Sequence, residues 1–158
     1  MIDIPAEPEE AQPADEAEKP FATGVAALEA EDFGSAVNEF SAATEIEPGF
    51  VRAYYNLAVA HANMATEEDN QAAVDNYTAA IELWNSLDSD GDGLLFEAKL
   101  ARGLLLVSFS TDKQAICLGR SDLLEYLEHG DPSQRNTEAV NKALAGIEVA
   151  CEEVEETP

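Results

Sequence analysis

The sequence predicts an all-α protein made of about three antiparallel helix hairpins, followed by a C-terminal capping helix. Three observations support this prediction. Small and aromatic residues recur at helical separations in 21–48, a related spacing returns further along the chain, and residues 132–155 carry an amphipathic stripe. Stacked hairpins bury a continuous core between neighbours, and a terminal helix with one polar face covers the last hairpin.

The first hairpin is predicted at 20–49. Its marker residues stand 12, 4, 3 and 5 positions apart, and they are Gly24, Ala36, Phe40, Ala43 and Pro48. This spacing resembles that of the tetratricopeptide repeat, a helix hairpin with a period of about 34 residues. The resemblance implies that Gly24 and Ala36 lie where the two helices touch, with Phe40 and Ala43 inside the hairpin. Pro48 ends the second helix, because proline has no N–H and clashes with the preceding turn.

The second and third hairpins are predicted at 50–87 and 94–130. In the second hairpin, Tyr54 stands at the position where the repeat has a large residue, and Leu57 stands at its leucine position. Ala58 and Ala73 stand at its two small positions. In the third hairpin, the separation of 12 residues between the small positions of the two helices returns. The sequence then departs from the repeat pattern, since Gly119 stands in place of an aromatic residue and Asp122 stands in place of an alanine. The resemblance therefore covers about 20–130 and is weakest in the third hairpin.

The resemblance also implies a right-handed superhelix, an α-solenoid whose concave face is lined by the first helix of each hairpin. Carried over to this chain, the inward positions predict a peptide-binding groove made of Phe21, Val25, Arg52, Tyr55, Asn56, Val59, Leu100 and Leu104. Some family members hold a terminal carboxylate with basic residues and asparagine at these places. Because the groove here is mostly apolar, an apolar helix or extended peptide fits it better. The predicted function is a non-catalytic protein–protein interaction scaffold.

The charge balance narrows the class of partner. The chain has 33 Asp and Glu against 8 Lys and Arg, a formal net charge of −25, which repels nucleic acid and anionic lipid. One interpretation is solubility in a salty medium, and the other is a basic partner or bound cations. An acidic rim around an apolar groove favours a protein or peptide with basic and apolar character. An extracytoplasmic location, after removal of a signal or lipid anchor, is favoured over the cytoplasm of a salt-adapted organism.

Residues 1–19 are predicted to form a disordered tail. The segment is rich in proline, alanine and acidic residues, with almost nothing to bury. Such a composition does not offset the entropy lost on ordering. It is typical of both a tether and a plain acidic tail.

A calcium-binding loop is the second functional hypothesis. Residues 88–93 read DSDGDG, the first half of an EF-hand-like loop, in which carboxylates at alternate positions converge on one ion. The candidate ligands are Asp88, Asp90, Asp92, Leu94 and Glu97. The twelfth position holds Lys99 in place of the usual bidentate glutamate, so Glu97 would serve only in a shortened loop. The other interpretation is an acidic, glycine-rich linker between hairpins.

The capping helix is predicted within 132–155, with an apolar stripe that includes Cys151. Cys117 and Cys151 are the two cysteines, and no CxxC motif is present. They are either buried thiols in a reducing compartment or a disulfide in an oxidising one. The geometry depends on where the capping helix begins. No Ser/His/Asp or Cys/His spacing indicates catalysis, so the chain is predicted not to be an enzyme.

Overall fold

The computed structural model describes residues 13–86, 93–147 and 151, and within them it is all-helical. Its helices are α1 (Pro13–Glu29), α2 (Phe33–Ile46), α3 (Val51–Met64), α4 (Glu67–Ser86), α5 (Gly93–Phe109), α6 (Lys113–His129) and α7 (Gln134–Ala145). The first six pair as α1/α2, α3/α4 and α5/α6, and each hairpin packs on the next through α2 with α3 and α4 with α5. The predicted all-α arrangement of consecutive hairpins is confirmed.

Helix α1 begins earlier than the sequence indicated. It starts at Pro13 and continues through Pro20, so residues 13–19 of the expected tail are helical, while 1–12 lie outside the described residues. Two contacts explain the extension. Ala17 is fully buried in the core that α1 shares with α2 and α3, and Glu18 accepts a hydrogen bond from Arg52 of α3. Packing against a neighbouring hairpin therefore outweighs the helix-breaking tendency of proline.

The residues that revealed the first hairpin lie at its centre. Ala36, Phe40 and Ala43 are fully buried, and Gly24 packs on the Phe40 ring. A Cβ atom on Gly24 would lie 2.7 Å from Phe40 Cε1, closer than carbon atoms approach in folded proteins. The glycine therefore lets the aromatic ring sit directly against the backbone of α1.

The third hairpin closes in a different way. Here Gly103 of α5 faces Gly119 of α6, and a Cβ atom on Gly103 would lie 2.9 Å from the Gly119 carbonyl oxygen. Glycine has replaced the aromatic residue of the repeat pattern, so backbone meets backbone, with the Leu123 side chain filling the adjacent space. Both glycines are buried. The departure from the repeat pattern thus brings the backbones of the two helices into direct contact.

A buried ion pair joins α4, α5 and α6. The Arg102 Nε and Nη2 atoms donate to Asp122 Oδ2 and Oδ1 at 2.7 and 2.8 Å, and Nη1 donates to Thr78 Oγ1 at 3.0 Å. The Arg102 and Asp122 side chains are only 7% and 3% exposed. Burial raises the pKa of the Asp122 carboxyl, and the two hydrogen bonds from Arg102 oppose that rise.

The capping helix is shorter than predicted. It ends at Ala145, where the N–H of Gly146 bonds back to the Ala143 carbonyl, so Ile147 and Cys151 are not helical. Val140 of α7 is fully buried against the α5/α6 hairpin, as a capping helix requires. Cys151 forms a disulfide with Cys117 of α6 at a Cα–Cα distance of 5.5 Å.

Candidate functional site

An open, mostly apolar cleft of about 570 Å³ lies at the N-terminal end of α3. It is lined by Phe50, Val51, Arg52, Tyr55, Asn56, Trp84 and Leu94. Three predicted groove residues, Arg52, Tyr55 and Asn56, therefore meet in one place. The walls come from α3, from the end of α4 and from the start of α5, so two hairpins build the cleft together.

Arg52 is held at the edge of this cleft by three contacts. Its guanidinium carbon lies 4.9 and 5.1 Å from the ring centroids of Phe21 and Phe50, and Nη2 donates to Glu18 Oε1 at 2.6 Å. An exposed ion pair contributes little stability, and stacking on aromatic rings contributes about 0.5–1 kcal/mol. Their combined effect is to fix the position of a charged donor. Its Nε and Nη1 groups bond no residue that the structure describes.

Tyr55 forms the floor beside Arg52. Its ring packs edge-on against Tyr77 with the centroids 5.7 Å apart. Burial raises the pKa of Tyr55, and the negative charge of Glu97 on α5 raises it further, so the phenol stays neutral and able to donate a hydrogen bond. The Asn56 amide nitrogen donates to the Arg52 carbonyl at 2.8 Å. Its amide oxygen has no bond to another described residue.

Trp84, near the end of α4, also lines this cleft. Its indole Nε1 is buried and has no hydrogen-bond partner among the described residues. A buried donor without an acceptor costs about 1–3 kcal/mol. Nothing in the sequence pointed to Trp84 as a site residue, because it lies on the second helix of its hairpin and the inferred groove used first helices only. Trp84 therefore lines the cleft with its ring, while its N–H lies out of contact with solvent.

The other predicted groove residues form walls or core. Phe21 and Leu100 are only 8% and 7% exposed, since Phe21 packs on the rings of Phe40 and Phe50 and Leu100 on Leu123 and Tyr126. The half-buried members of the set are Val25, Val59 and Leu104. Phe21 and Leu100 therefore offer little area to a ligand, and the accessible part of the predicted groove is centred on α3.

The predicted calcium loop falls mainly outside the described residues. Asp88, Asp90 and Asp92 lie in 87–92, which the structure does not describe, whereas Leu94 and Glu97 lie in the first two turns of α5. Glu97 is exposed, and Lys99 forms an ion pair with Glu125 of α6. In the described part of the chain, no three His, Cys, Asp or Glu side chains are grouped as metal ligands.

Comparison with known proteins adds no family assignment. No protein-family model matches the sequence, and no curated protein is similar to it. Among the described helices, none has the length and apolar character needed to cross a lipid bilayer.

Proposed function

We propose that the protein is a non-catalytic interaction scaffold that binds a peptide or helix of a partner protein in the cleft at the start of α3. We further propose that its hairpins form a right-handed superhelix of the tetratricopeptide-repeat type, with this cleft on the concave face. Consecutive packing of the three hairpins and the positions of Gly24, Ala36, Phe40 and Ala43 support the second part. The contents of the cleft support the first.

The grouping of Arg52, Tyr55, Asn56 and Trp84 around one apolar cleft is the observation on which this function rests. Around this cleft stand the Arg52 guanidinium, whose Nε and Nη1 groups bond no described residue, and the neutral Tyr55 hydroxyl. These donors match the carbonyl groups of an incoming peptide backbone, and the Asn56 oxygen provides an acceptor for a peptide N–H. The half-buried side chains of Leu94 and Trp84 contribute apolar surface for a side chain of the peptide. Exposed Glu97 would favour a basic residue next to that side chain.

Trp84 is the sole tryptophan of the chain, so its fluorescence reports directly on the cleft. Peptides selected from a random library on the native protein are expected to shift the Trp84 emission as they bind. Tyr55→Ala should weaken the same peptides by at least about tenfold, because aromatic anchors contribute most at interfaces. The measurement is a fluorescence titration of each selected peptide.

The matched control is Tyr54→Ala, which removes a half-buried tyrosine from the same helix at a position that does not line the cleft. It should leave the dissociation constant within about twofold of native. Peptides that bind without changing Trp84 emission, and that tolerate Tyr55→Ala, would place binding elsewhere and refute the cleft as the site. Circular dichroism spectra establish that both variants fold.

The disulfide favours an oxidising compartment as the setting for this function. Disulfides persist in secreted, periplasmic and surface-exposed proteins and are rare in the reducing cytosol. The Cys117–Cys151 bond therefore supports an extracytoplasmic location. In many such compartments calcium is present at millimolar concentration. This concentration matches the dissociation constants of weak extracellular calcium-binding modules.

Calcium binding by the Asp88–Asp92 loop is the second candidate function. The observation that favours it is the position of Lys99, whose ammonium pairs with Glu125 on α6 and is thereby neutralised. The positive charge at the loop's twelfth position is therefore partly offset. Glu97, half a turn earlier, remains exposed.

Millimolar calcium is expected to raise the melting temperature if the loop binds it. A ligand at about 100 times its dissociation constant stabilises the folded state by about 2.7 kcal/mol. Asp90→Asn should abolish the rise, while Asp75→Asn, which removes an exposed carboxylate from α4, should preserve it. Magnesium at equal ionic strength controls for screening of the net charge of −25. Equal melting temperatures in calcium and in chelator would refute the site.

A further inference from the structure

A second and larger cleft, of about 1270 Å³, lies at the other end of the second hairpin. It is bounded by the α3–α4 turn, the first half of α4, the end of α5 and the start of α6. None of its lining residues belongs to the cleft described above. A ligand in this cleft would therefore bind separately from a peptide at Tyr55 and Trp84.

The floor of this second cleft is apolar and exposed. Phe109, the last residue of α5, is 64% exposed, and Leu118 of α6 is 45% exposed. Half-buried Leu105 and Val74 continue the same surface. A single exposed apolar side chain is ordinary in a folded protein, but several that line one cleft indicate an interaction site.

The rim of the cleft is acidic. Glu67 and Glu68 stand in the first turn of α4, Asp75 lies two turns further along the same helix, and Asp112 caps α6 by accepting from the Ala115 N–H at 2.8 Å. Among the described residues that line the cleft, no lysine or arginine accompanies them. Four carboxylates around an apolar floor produce a negative potential that selects for cations on apolar scaffolds.

The charge of this rim also decides between possible occupants. The chain's own segments 1–12 and 152–158 each carry four acidic residues and no basic one, so the rim repels both. A second copy of the chain would bring a further net charge of −25 toward the same surface. The favourable occupant is a segment of opposite sign with an apolar face of its own.

We propose that this surface, the acidic cleft, docks an amphipathic basic helix of a partner protein. The apolar face of that helix lies against Phe109 and Leu118, and its lysines or arginines face the carboxylates of the rim. This would give the protein two interaction surfaces, one at each end of its second hairpin.

The test uses a fluorescein-labelled synthetic helix of leucine and lysine, about five turns long, as the probe. Native protein should bind it in a titration followed by fluorescence anisotropy. The double variant Phe109→Ala/Leu118→Ala should bind at least about tenfold more weakly. A control, Ile46→Ala/Leu124→Ala, also removes two exposed apolar side chains but leaves the cleft intact, so its affinity should stay within about twofold of native.

A second set of variants tests the rim without touching the apolar floor. Glu67→Gln/Glu68→Gln/Asp75→Asn should weaken the probe several-fold at about 20 mM salt, with the difference largely lost at about 0.5 M. Neutralising three carboxylates elsewhere, with Glu29→Gln/Glu45→Gln/Glu82→Gln, controls for overall charge. Equal losses of affinity in the rim and control variants would mean that the probe is attracted to any acidic surface, and would overturn the proposal. Unchanged affinity of Phe109→Ala/Leu118→Ala for the probe would overturn it as well. A helix in which glutamate replaces lysine should not bind.

Discussion

Replacing Arg102 with alanine is expected to lower the free energy of unfolding by about 3–5 kcal/mol. The Arg102 guanidinium makes two hydrogen bonds to Asp122 and one to Thr78, and both charged residues are buried. Without the arginine, the Asp122 carboxylate stays in the interior without its counter-charge, and burial already raises its pKa. Three helices also lose their common contact, since α4, α5 and α6 each contribute one of the three residues. Urea unfolding at neutral pH measures the loss.

A charge-free replacement of the pair separates the penalty of an unpaired charge from the loss of packing. Arg102→Met/Asp122→Leu removes both charges and retains apolar volume, so it should recover most of the stability lost in Arg102→Ala. The recovery would show that the loss in the single variant comes mainly from the isolated carboxylate. A loss below about 1 kcal/mol for Arg102→Ala would mean that water or another group reaches Asp122, and the description of the pair as buried would be wrong.

The hairpins could be predicted from the sequence because their defining residues act locally. Side-chain size at Gly24, Ala36, Phe40 and Ala43 sets how closely two adjacent helices approach, and these residues do meet in the core. The α1–α2 turn is fixed by Asp32, whose side chain accepts from the Ser35 N–H at the start of α2.

The candidate site could be predicted only in part, because its accessible surface depends on contacts between hairpins. Arg52, Tyr55 and Asn56 of α3 do line one cleft, but Trp84 also lines it from α4, the second helix of the same hairpin. Phe21 was expected to be accessible, yet Phe40 and Phe50 pack on it and leave it 8% exposed. Spacing within one helix carries no information about which neighbouring ring covers a residue. The same reason hid the Arg102–Asp122 pair, whose members are separated by 20 positions.

The end of the chain shows a second reason why sequence prediction fell short. An apolar stripe through 132–155 predicted one continuous helix, and the distance between Cys117 and Cys151 depended on its start. In fact the helix stops at Ala145. Glycine at position 146 is a poor helix former, and Cys151, five positions later, is bonded to Cys117 of α6. A single glycine therefore stands where the helix predicted from the periodic apolar pattern ends.

Removing this disulfide is expected to lower the free energy of unfolding by about 3–4 kcal/mol, because the bond closes a loop between positions 34 residues apart and restricts the unfolded chain. The variant Cys117→Ser/Cys151→Ser should show the loss in urea unfolding, and reductant should produce a similar loss in the native protein. Reductant should leave the variant unchanged, which controls for other effects of the reagent. Because Val140 still packs α7 on the third hairpin, the variant should keep its helical circular dichroism spectrum. Equal stability of native protein with and without reductant would contradict a stabilising role for the bond.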